Sequence, residues 1–422
     1  MDECLARLRE LAGPELYRGN AFRTAGLPTG ATRGEVRSRY REAKVQGAVG
    51  PGWERVLAAF EVLRDPRHRI VHEMFWYWGS PSGSCGCSPS SPLHQDHDEA
   101  VRLHSRLLDA ELDASGRGEA AEGRPGGERE WEEAAGLWSA LVEREDFWCH
   151  LRRRADALDD PRLEPSSVDA VREELPRALV MPVARLAAGA EDADHLVRCC
   201  LAWSGLGEHL LDDVFDEVLA LSYDSASDAL RAAGQQIRSG SPAAAADLLT
   251  ATAVPVLRRL KPFASHASQR RAAEVLDLGA DRLGACAVLL AGGPPPSAGA
   301  ARVHPEACTT LLGLAEEFAV SPETRSSVSA SRILLYGASG AGDAARRPEG
   351  LGGSAAPPPE VFSPPPEAFS HGSGFLRTMV AGFAGFIVAQ GAADDLSAAI
   401  AIGAASAAVS AFGLRLRSRG RT

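Results

Sequence analysis

The sequence predicts an all-α protein, and three features carry that prediction. Apolar residues recur at the spacing of a buried helix face over most of the chain. The segments between these stretches are short and several contain Gly or Pro, which favours tight turns between antiparallel helices. Hydrophobic residues make up 45% of the chain and aromatic residues only 6%, so Ala and Leu must supply most helix contacts.

Length, charge and cysteine distribution indicate the number of domains, the kind of partner and the cellular environment. A chain of 422 residues is long enough for two or three domains. Acidic residues exceed basic ones, 56 against 45, and the net charge of −11 argues against a nucleic-acid-binding protein. The eight cysteines are scattered and the N-terminus, MDECLARLRE, is charged. We therefore expect a reducing cytoplasmic environment for most of the chain.

Residues 1–80 are expected to form a small helical module. Asn20 is placed to cap a short helix, and Thr32 with Glu35 three residues later has the pattern of a capping box. The helix that follows is amphipathic and basic. Its basic residues are Arg37, Arg39, Arg41 and Lys44.

The stretch 59–78, AFEVLRDPRHRIVHEMFWYW, ends in four consecutive aromatic residues. On a helix these rings would point in all directions, so more than one neighbouring element must enclose them. A second aromatic cluster lies at 131–148. We predict that the two clusters dock as a domain junction, the alternative being that each fills its own local core. The junction residues are Phe75, Trp76, Tyr77, Trp78, Trp138 and Trp148.

The segments NAFRTAGLPTGATRGEVRSRYREAK and AAFEVLRDPRHRIVHE together resemble a J-domain, the module with which DnaJ-type co-chaperones engage DnaK-type ATPases. The matching features are the entry from Ala25 to Val36, the basic second helix, and the third helix with Asp65-Pro66. The resemblance runs from residue 20 to residue 78. It implies that the aromatic run Phe75–Trp78 forms the last turn of the third helix.

One departure from the J-domain pattern changes what the resemblance implies. The family carries His-Pro-Asp between its second and third helices, and residues 46–51 of this chain read QGAVGP. In the family that loop couples docking to ATP hydrolysis, so the resemblance implies a module that keeps the fold and loses the stimulation. The basic helix is then a candidate protein-binding surface, unless it is simply a solvated helix face.

A connector rich in Ser, Gly and Pro is expected at 81–98. It contains Cys85, Cys87, His94 and His97, which together form the ligand set of a structural zinc, but at a spacing that no standard zinc motif has. We favour an unstructured loop with incidental ligands. The sequence accordingly predicts neither a metal nor a cofactor.

Residues 99–336 are expected to form an irregular, tetratricopeptide-like array of antiparallel helices, although no strict repeat period is present. The predicted helices begin near Glu99 and at residue 130, and continue at 166–186, 192–203, 208–221, 226–239, 243–260, 269–290, 306–319 and 327–336.

The C-terminal part is expected to be a Pro/Gly-rich linker, 337–374, followed by a hydrophobic helical hairpin with a basic tail, 375–422. The Gly-rich segment RILLYGASGAGD lacks the lysine of a P-loop, so nucleotide binding is not predicted. Residues 379–393 and 396–414 are uncharged and rich in small residues, and arginines follow them. This pattern predicts a transmembrane hairpin with both ends in the cytoplasm. An Ala-rich soluble helix pair is the alternative.

The sequence contains no recognisable catalytic constellation. Its histidines, including His72 and His195, are isolated along the chain, and no nucleophile motif is present. The leading hypothesis is therefore a non-enzymatic interaction protein at the cytoplasmic face of the cell membrane, with a protein partner such as a DnaK-type chaperone. The alternatives are an active DnaJ-type co-chaperone, a soluble helical-repeat adaptor in the cytoplasm, and a metal- or nucleotide-binding enzyme.

Overall fold

A computed structural model describes the chain at residues 3–45, 52–80, 87–88, 90–117, 127–207, 209–264, 270–292 and 305–344. Within these residues every regular element is helical and no strand occurs, so the prediction of an all-α protein is confirmed. The α-helices are α1 (Glu3–Leu11), α2 (Ala21–Ala25), α3 (Arg33–Val45), α4 (Trp53–Arg64), α5 (Pro66–Met74), α6 (Leu93–Arg117), α7 (Glu128–Val142), α8 (Glu145–Ala157), α9 (Pro165–Gly189), α10 (Asp194–Leu201), α11 (Leu210–Arg238), α12 (Pro242–Leu248), α13 (Val254–Ala264), α14 (Arg270–Gly292), α15 (Pro305–Phe318) and α16 (Pro322–Ala344).

The chain divides into two compact units. The first contains residues 1–223 and 258–272, and the second contains residues 224–257 and 273–422. All the side-chain clusters described below lie in the first unit.

Helices α2, α3 and α4 enclose the core of the N-terminal module, whose largest buried side chains are Phe22, Tyr40 and Phe60. Both predicted helix starts are confirmed. Asn20 accepts a hydrogen bond from the Phe22 amide at 2.9 Å. The capping box is reciprocal, because Glu35 accepts the Thr32 amide at 2.6 Å and Thr32 Oγ1 accepts the Glu35 amide at 3.2 Å.

The stretch 59–78 is not one continuous helix. Helix α4 ends at Arg64, and Asp65 then caps α5 by accepting the Arg67 amide at 2.9 Å. Pro66 occupies the first helical position, where its missing N–H costs nothing. Helix α5 ends at Met74, so the prediction that the aromatic run forms a last helical turn is wrong.

Three other predicted boundaries also change. Helix α6 begins at Leu93, so His94 and His97 of the expected connector are helical. The predicted helix from residue 130 is two helices, α7 and α8. Helix α16 extends to Ala344, inside the expected linker that was to begin at residue 337.

Helix α11 replaces two predicted helices with one of 29 residues. The segment between the two predicted helices contains Ser222, Asp224 and Ser225, which are weak helix formers. The apolar face nevertheless continues through Val214, Tyr223 and other fully buried residues, and this burial outweighs local propensity.

The second unit contains α15, α16 and the part of α14 from residue 273 onward, and in it the Leu257 side chain packs directly on the α14 backbone. A Cβ at Gly279 of α14 would lie 2.6 Å from Leu257 Cδ1, so glycine permits this contact. Asp277 of α14 accepts the amides of Val320 and Ser321, at 2.7 and 3.1 Å, and fixes the turn before α16.

No helix within the described ranges is long and apolar enough to cross a bilayer. The predicted transmembrane hairpin, 375–422, lies outside those residues.

Candidate functional site

The predicted protein-binding residues are exposed cations of α3, of which Arg37, Arg41 and Lys44 share one face and Arg39 lies on the other flank. Arg37, Arg39, Arg41 and Lys44 are all exposed, and the opposite side of α3 buries Val36, Tyr40 and Ala43 against the module core. We call these four cations the basic face. Arg39 forms an ion pair with Glu42 at 3.3 Å, and the Lys44 ammonium lies 4.5 Å from the centre of the Tyr40 ring. The loop 46–51 lies outside the described residues.

Helix α4 braces α3 from behind the basic face. The Tyr40 hydroxyl donates to Glu61, and Arg64 binds the same carboxylate at 2.8 Å. The Arg64 guanidinium also lies 4.9 Å from the Tyr40 ring centre. Tyr40 therefore holds α3 against α4, because its hydroxyl binds Glu61 and its ring lies beside the Arg64 guanidinium.

A buried ion network joins the module to α8. Glu73 of α5 accepts Arg69 Nε at 3.0 Å, and Arg154 of α8 donates to both Glu73 oxygens at 3.0 Å. Arg69 and Arg154 also donate to the Thr29 carbonyl, at 2.9 and 3.0 Å. All three charged side chains are under 10% exposed. The sequence analysis missed this network because its members are ordinary charged residues far apart in the chain.

The two aromatic clusters are in contact. The Phe75 and Trp138 rings lie 6.1 Å apart between centres. Trp78 lies between two imidazoles, stacked on His97 at 3.7 Å and on His150 at 3.8 Å. Its indole N–H donates to the Glu73 carbonyl at 2.9 Å.

The other predicted junction residues take different positions. Trp76 and Tyr77 are half-buried, and their rings contact each other at 5.0 Å. Trp148 is fully buried beside Phe147 at 4.9 Å, with the Arg172 guanidinium 5.4 Å from its ring centre.

His72, which is isolated along the chain, has close partners in the fold. Its Nδ1 accepts the Ala21 amide at 3.1 Å, and Arg7 approaches its Nε2 at 2.9 Å. Burial is the main cause that lowers the pKa of His72 to about 3, and the positive charge of Arg7 acts in the same direction. His72 is therefore a neutral structural residue between α1, α2 and α5.

His195 also has close partners. Its Nε2 lies 2.8 Å from Glu111 Oε1 and 3.6 Å from Cys199 Sγ, and all three residues are buried. Burial raises the pKa of the Cys199 thiol well above its usual range. The cluster therefore joins α6 to α10 and holds no activated nucleophile.

A third cluster contains Cys87, His94 and His150, which we call the Cys-His cluster. Their potential ligand atoms all lie within 4.8 Å of one another. Cys87 Sγ is 3.1 Å from His150 Nδ1, and His94 Nδ1 is 2.9 Å from the Gly79 carbonyl. Burial lowers the pKa of His150 to about 2.

The sequence named a different ligand set, and the structure changes it. His97 contacts the Met74 carbonyl through Nε2 at 2.9 Å and stacks on Trp78. Cys85 lies outside the described residues. His150, which the sequence analysis did not consider, is 63 positions from Cys87, and no spacing pattern could have indicated it.

Comparison of the chain with protein-family models, with curated proteins and with solved structures gave no match.

Proposed function

We propose that this chain is a non-enzymatic protein-interaction scaffold that uses the basic face of α3 to bind an acidic surface on a protein partner. The observation that carries the proposal is the exposure of all four cations on a helix whose inner side is buried, with Arg37, Arg41 and Lys44 together on one face and Arg39 on the other flank. Clustered positive charge steers an acidic partner and fixes its orientation. The chain as a whole has a net charge of −11, so the positive charge on α3 is opposite in sign to that of the whole protein.

Rigid mounting of the basic face supports the same proposal. The Arg69–Glu73–Arg154 network and the contact between Phe75 and Trp138 tie the N-terminal helices to α7 and α8. A partner bound to α3 would therefore be held in a fixed position relative to α7 and α8. A scaffold requires a partner-binding surface that is fixed to the rest of the protein, which we propose to be the tetratricopeptide-like array.

The J-domain resemblance suggests a DnaK-type ATPase as the partner. Residues 46–51 read QGAVGP in place of the His-Pro-Asp loop, so binding is proposed without stimulation of ATP hydrolysis. The uncharged segments within 375–422 complete the proposal as a tether to the cytoplasmic face of the membrane.

Binding of a DnaK-type ATPase to the full-length protein tests this proposal. Charge reversal of the basic face (R37E, R39E, R41E, K44E) should weaken binding at least tenfold at low salt, and the affinity of the unaltered protein should fall as salt rises. ATP hydrolysis by the partner should not change in either case.

A matched control changes the same number of charges elsewhere. R231E, R238E, R258E and R259E replace exposed arginines of α11 and α13 and should leave binding intact. Equal losses in both variants would assign the effect to net charge and would refute a specific basic face. Stimulated ATP hydrolysis would instead identify an active co-chaperone, and absence of binding would favour a helical-repeat adaptor with another partner.

A further inference from the structure

We propose that Cys87, His94 and His150 form a binding site for a borderline-soft divalent cation, with Zn²⁺ as the physiological ligand. This assignment departs from the sequence analysis, which predicted no metal. One thiolate and two imidazoles are ligands that zinc binds well, and three protein ligands leave a fourth position for water.

The distances suit a tetrahedral ion. Zinc–sulfur bonds of about 2.3 Å and zinc–nitrogen bonds of about 2.0–2.1 Å place neighbouring ligand atoms roughly 3.3–3.6 Å apart. Cys87 Sγ and His150 Nδ1 are already 3.1 Å apart, and no pair in the Cys-His cluster exceeds 4.8 Å. Small side-chain rotations therefore suffice to close the site.

The hydrogen bond at His94 has the geometry expected of a metal-binding histidine. An imidazole that donates Nδ1–H to a carbonyl, as His94 can to Gly79 at 2.9 Å, presents Nε2 as its basic nitrogen. That donor bond fixes both the tautomer and the orientation of the ring.

The surroundings hold the second imidazole in place and leave space beside it. The His150 ring is stacked on Trp78 at 3.8 Å and lies edge-on to the His94 ring at 4.9 Å. A cavity of about 20 Å³ is lined by Trp78, His94 and His150 together with Glu73 of the ion network. This is enough space for one water-sized ligand.

Cys87 supplies the negative charge and the route of access. Its side chain is half-buried, whereas both histidines are buried. Arg153 approaches the sulfur at 3.6 Å. Binding converts the thiol to a metal-bound thiolate and releases its proton to solvent.

The buried Glu111–His195–Cys199 cluster is the competing location. All three of its residues are buried, the thiol of Cys199 included. The half-buried Cys87 makes the Cys-His cluster the more accessible of the two.

Cobalt titration of the full-length protein, purified in detergent with its thiols reduced, tests the proposal. Co²⁺ alone should bind with one-to-one stoichiometry and give a thiolate-to-cobalt charge-transfer band together with the intense visible bands of tetrahedral cobalt. Zn²⁺ should displace it. C87S should abolish the charge-transfer band, and H94A and H150A should each weaken binding at least tenfold.

Two control variants locate the ion. C149S removes an exposed cysteine next to His150, and C199S removes the thiol of the competing cluster. Both should retain the cobalt spectrum of the unaltered protein. Loss of the spectrum in C199S but not in C87S would overturn the proposal, and so would the absence of any cobalt band in the unaltered protein.

Thermal unfolding provides a readout that does not depend on the spectrum. Zn²⁺ should raise the Tm of the unaltered protein and of C149S, and should leave the Tm of C87S unchanged. If C87S unfolds before titration, H94A, which keeps the thiol, decides the question through its weakened cobalt affinity. A Zn²⁺-dependent rise in Tm that survives in C87S and H94A alike would refute the site.

Discussion

Among single residues, Glu73 is the charged side chain described above on which the stability of the fold depends most. Its side chain is 1% exposed, and its carboxylate accepts hydrogen bonds from two arginines. Its backbone carbonyl accepts the Trp78 indole N–H. Two buried cations share one carboxylate, and the nearby Thr29 carbonyl relieves part of the imbalance. Such a network stabilises the folded state little more than apolar packing would. Removal of one member nevertheless destabilises the fold strongly.

Glu73→Gln should therefore destabilise the fold by about 3–5 kcal/mol, because it leaves two buried guanidinium groups without a counter-charge. Urea denaturation followed by circular dichroism measures the loss. Glu99→Gln is the matched control, since Glu99 forms an exposed ion pair with Arg102, and its effect should stay within about 0.5 kcal/mol. Equal effects of the two substitutions would show that the network carries no special weight.

At the element scale, the aromatic run acts as a connection between helices. Because α5 ends at Met74, the run leaves the helix and its four rings reach different surroundings. Phe75 and Trp78 turn inward, to Trp138 and to the stacked histidines. Trp76 and Tyr77 remain half-buried at the surface. Consecutive residues of the run therefore differ in energetic importance.

Trp78→Ala should cost about 3–5 kcal/mol of stability, since it removes a buried indole that packs on two rings and donates a hydrogen bond. Trp76→Ala should cost only about 1 kcal/mol, because that side chain is half exposed to solvent. Chemical denaturation of both variants makes the comparison. A Trp76 variant as unstable as the Trp78 variant would contradict the inward and outward assignment.

At the scale of the whole molecule, the proposed scaffold depends on a tether at 375–422. The full-length protein should sediment with membranes and remain there after alkaline carbonate extraction. A chain that ends at residue 374 should appear in the supernatant, because it lacks both uncharged segments. Fractionation with immunodetection measures the distribution.

The truncated chain needs its own control. Its helical circular dichroism and its Tm should match those of the full-length protein, so that release reflects the missing segment and not misfolding. A full-length protein found in the supernatant would eliminate the tether and favour a soluble adaptor.

Local signals predicted the helices well where side chains and backbone interact within a few residues. The Asn20 cap, the reciprocal Thr32–Glu35 box and the amphipathic α3 were all readable from the sequence and are all present. The errors concern the points at which helices are interrupted. The sequence analysis placed Asp65-Pro66 within a third helix, whereas a new helix begins there, and α11 continues through the gap predicted between residues 221 and 226.

The helical class, the caps and the amphipathic basic helix of the N-terminal module could be predicted from the sequence, because those features depend on periodicity and on contacts three or four residues apart. Which distant side chains meet became known only from the fold. It joined Arg154 to Glu73 and replaced His97 with His150 beside Cys87. Such pairings follow from helix packing and burial, and a local pattern of residues carries no record of either.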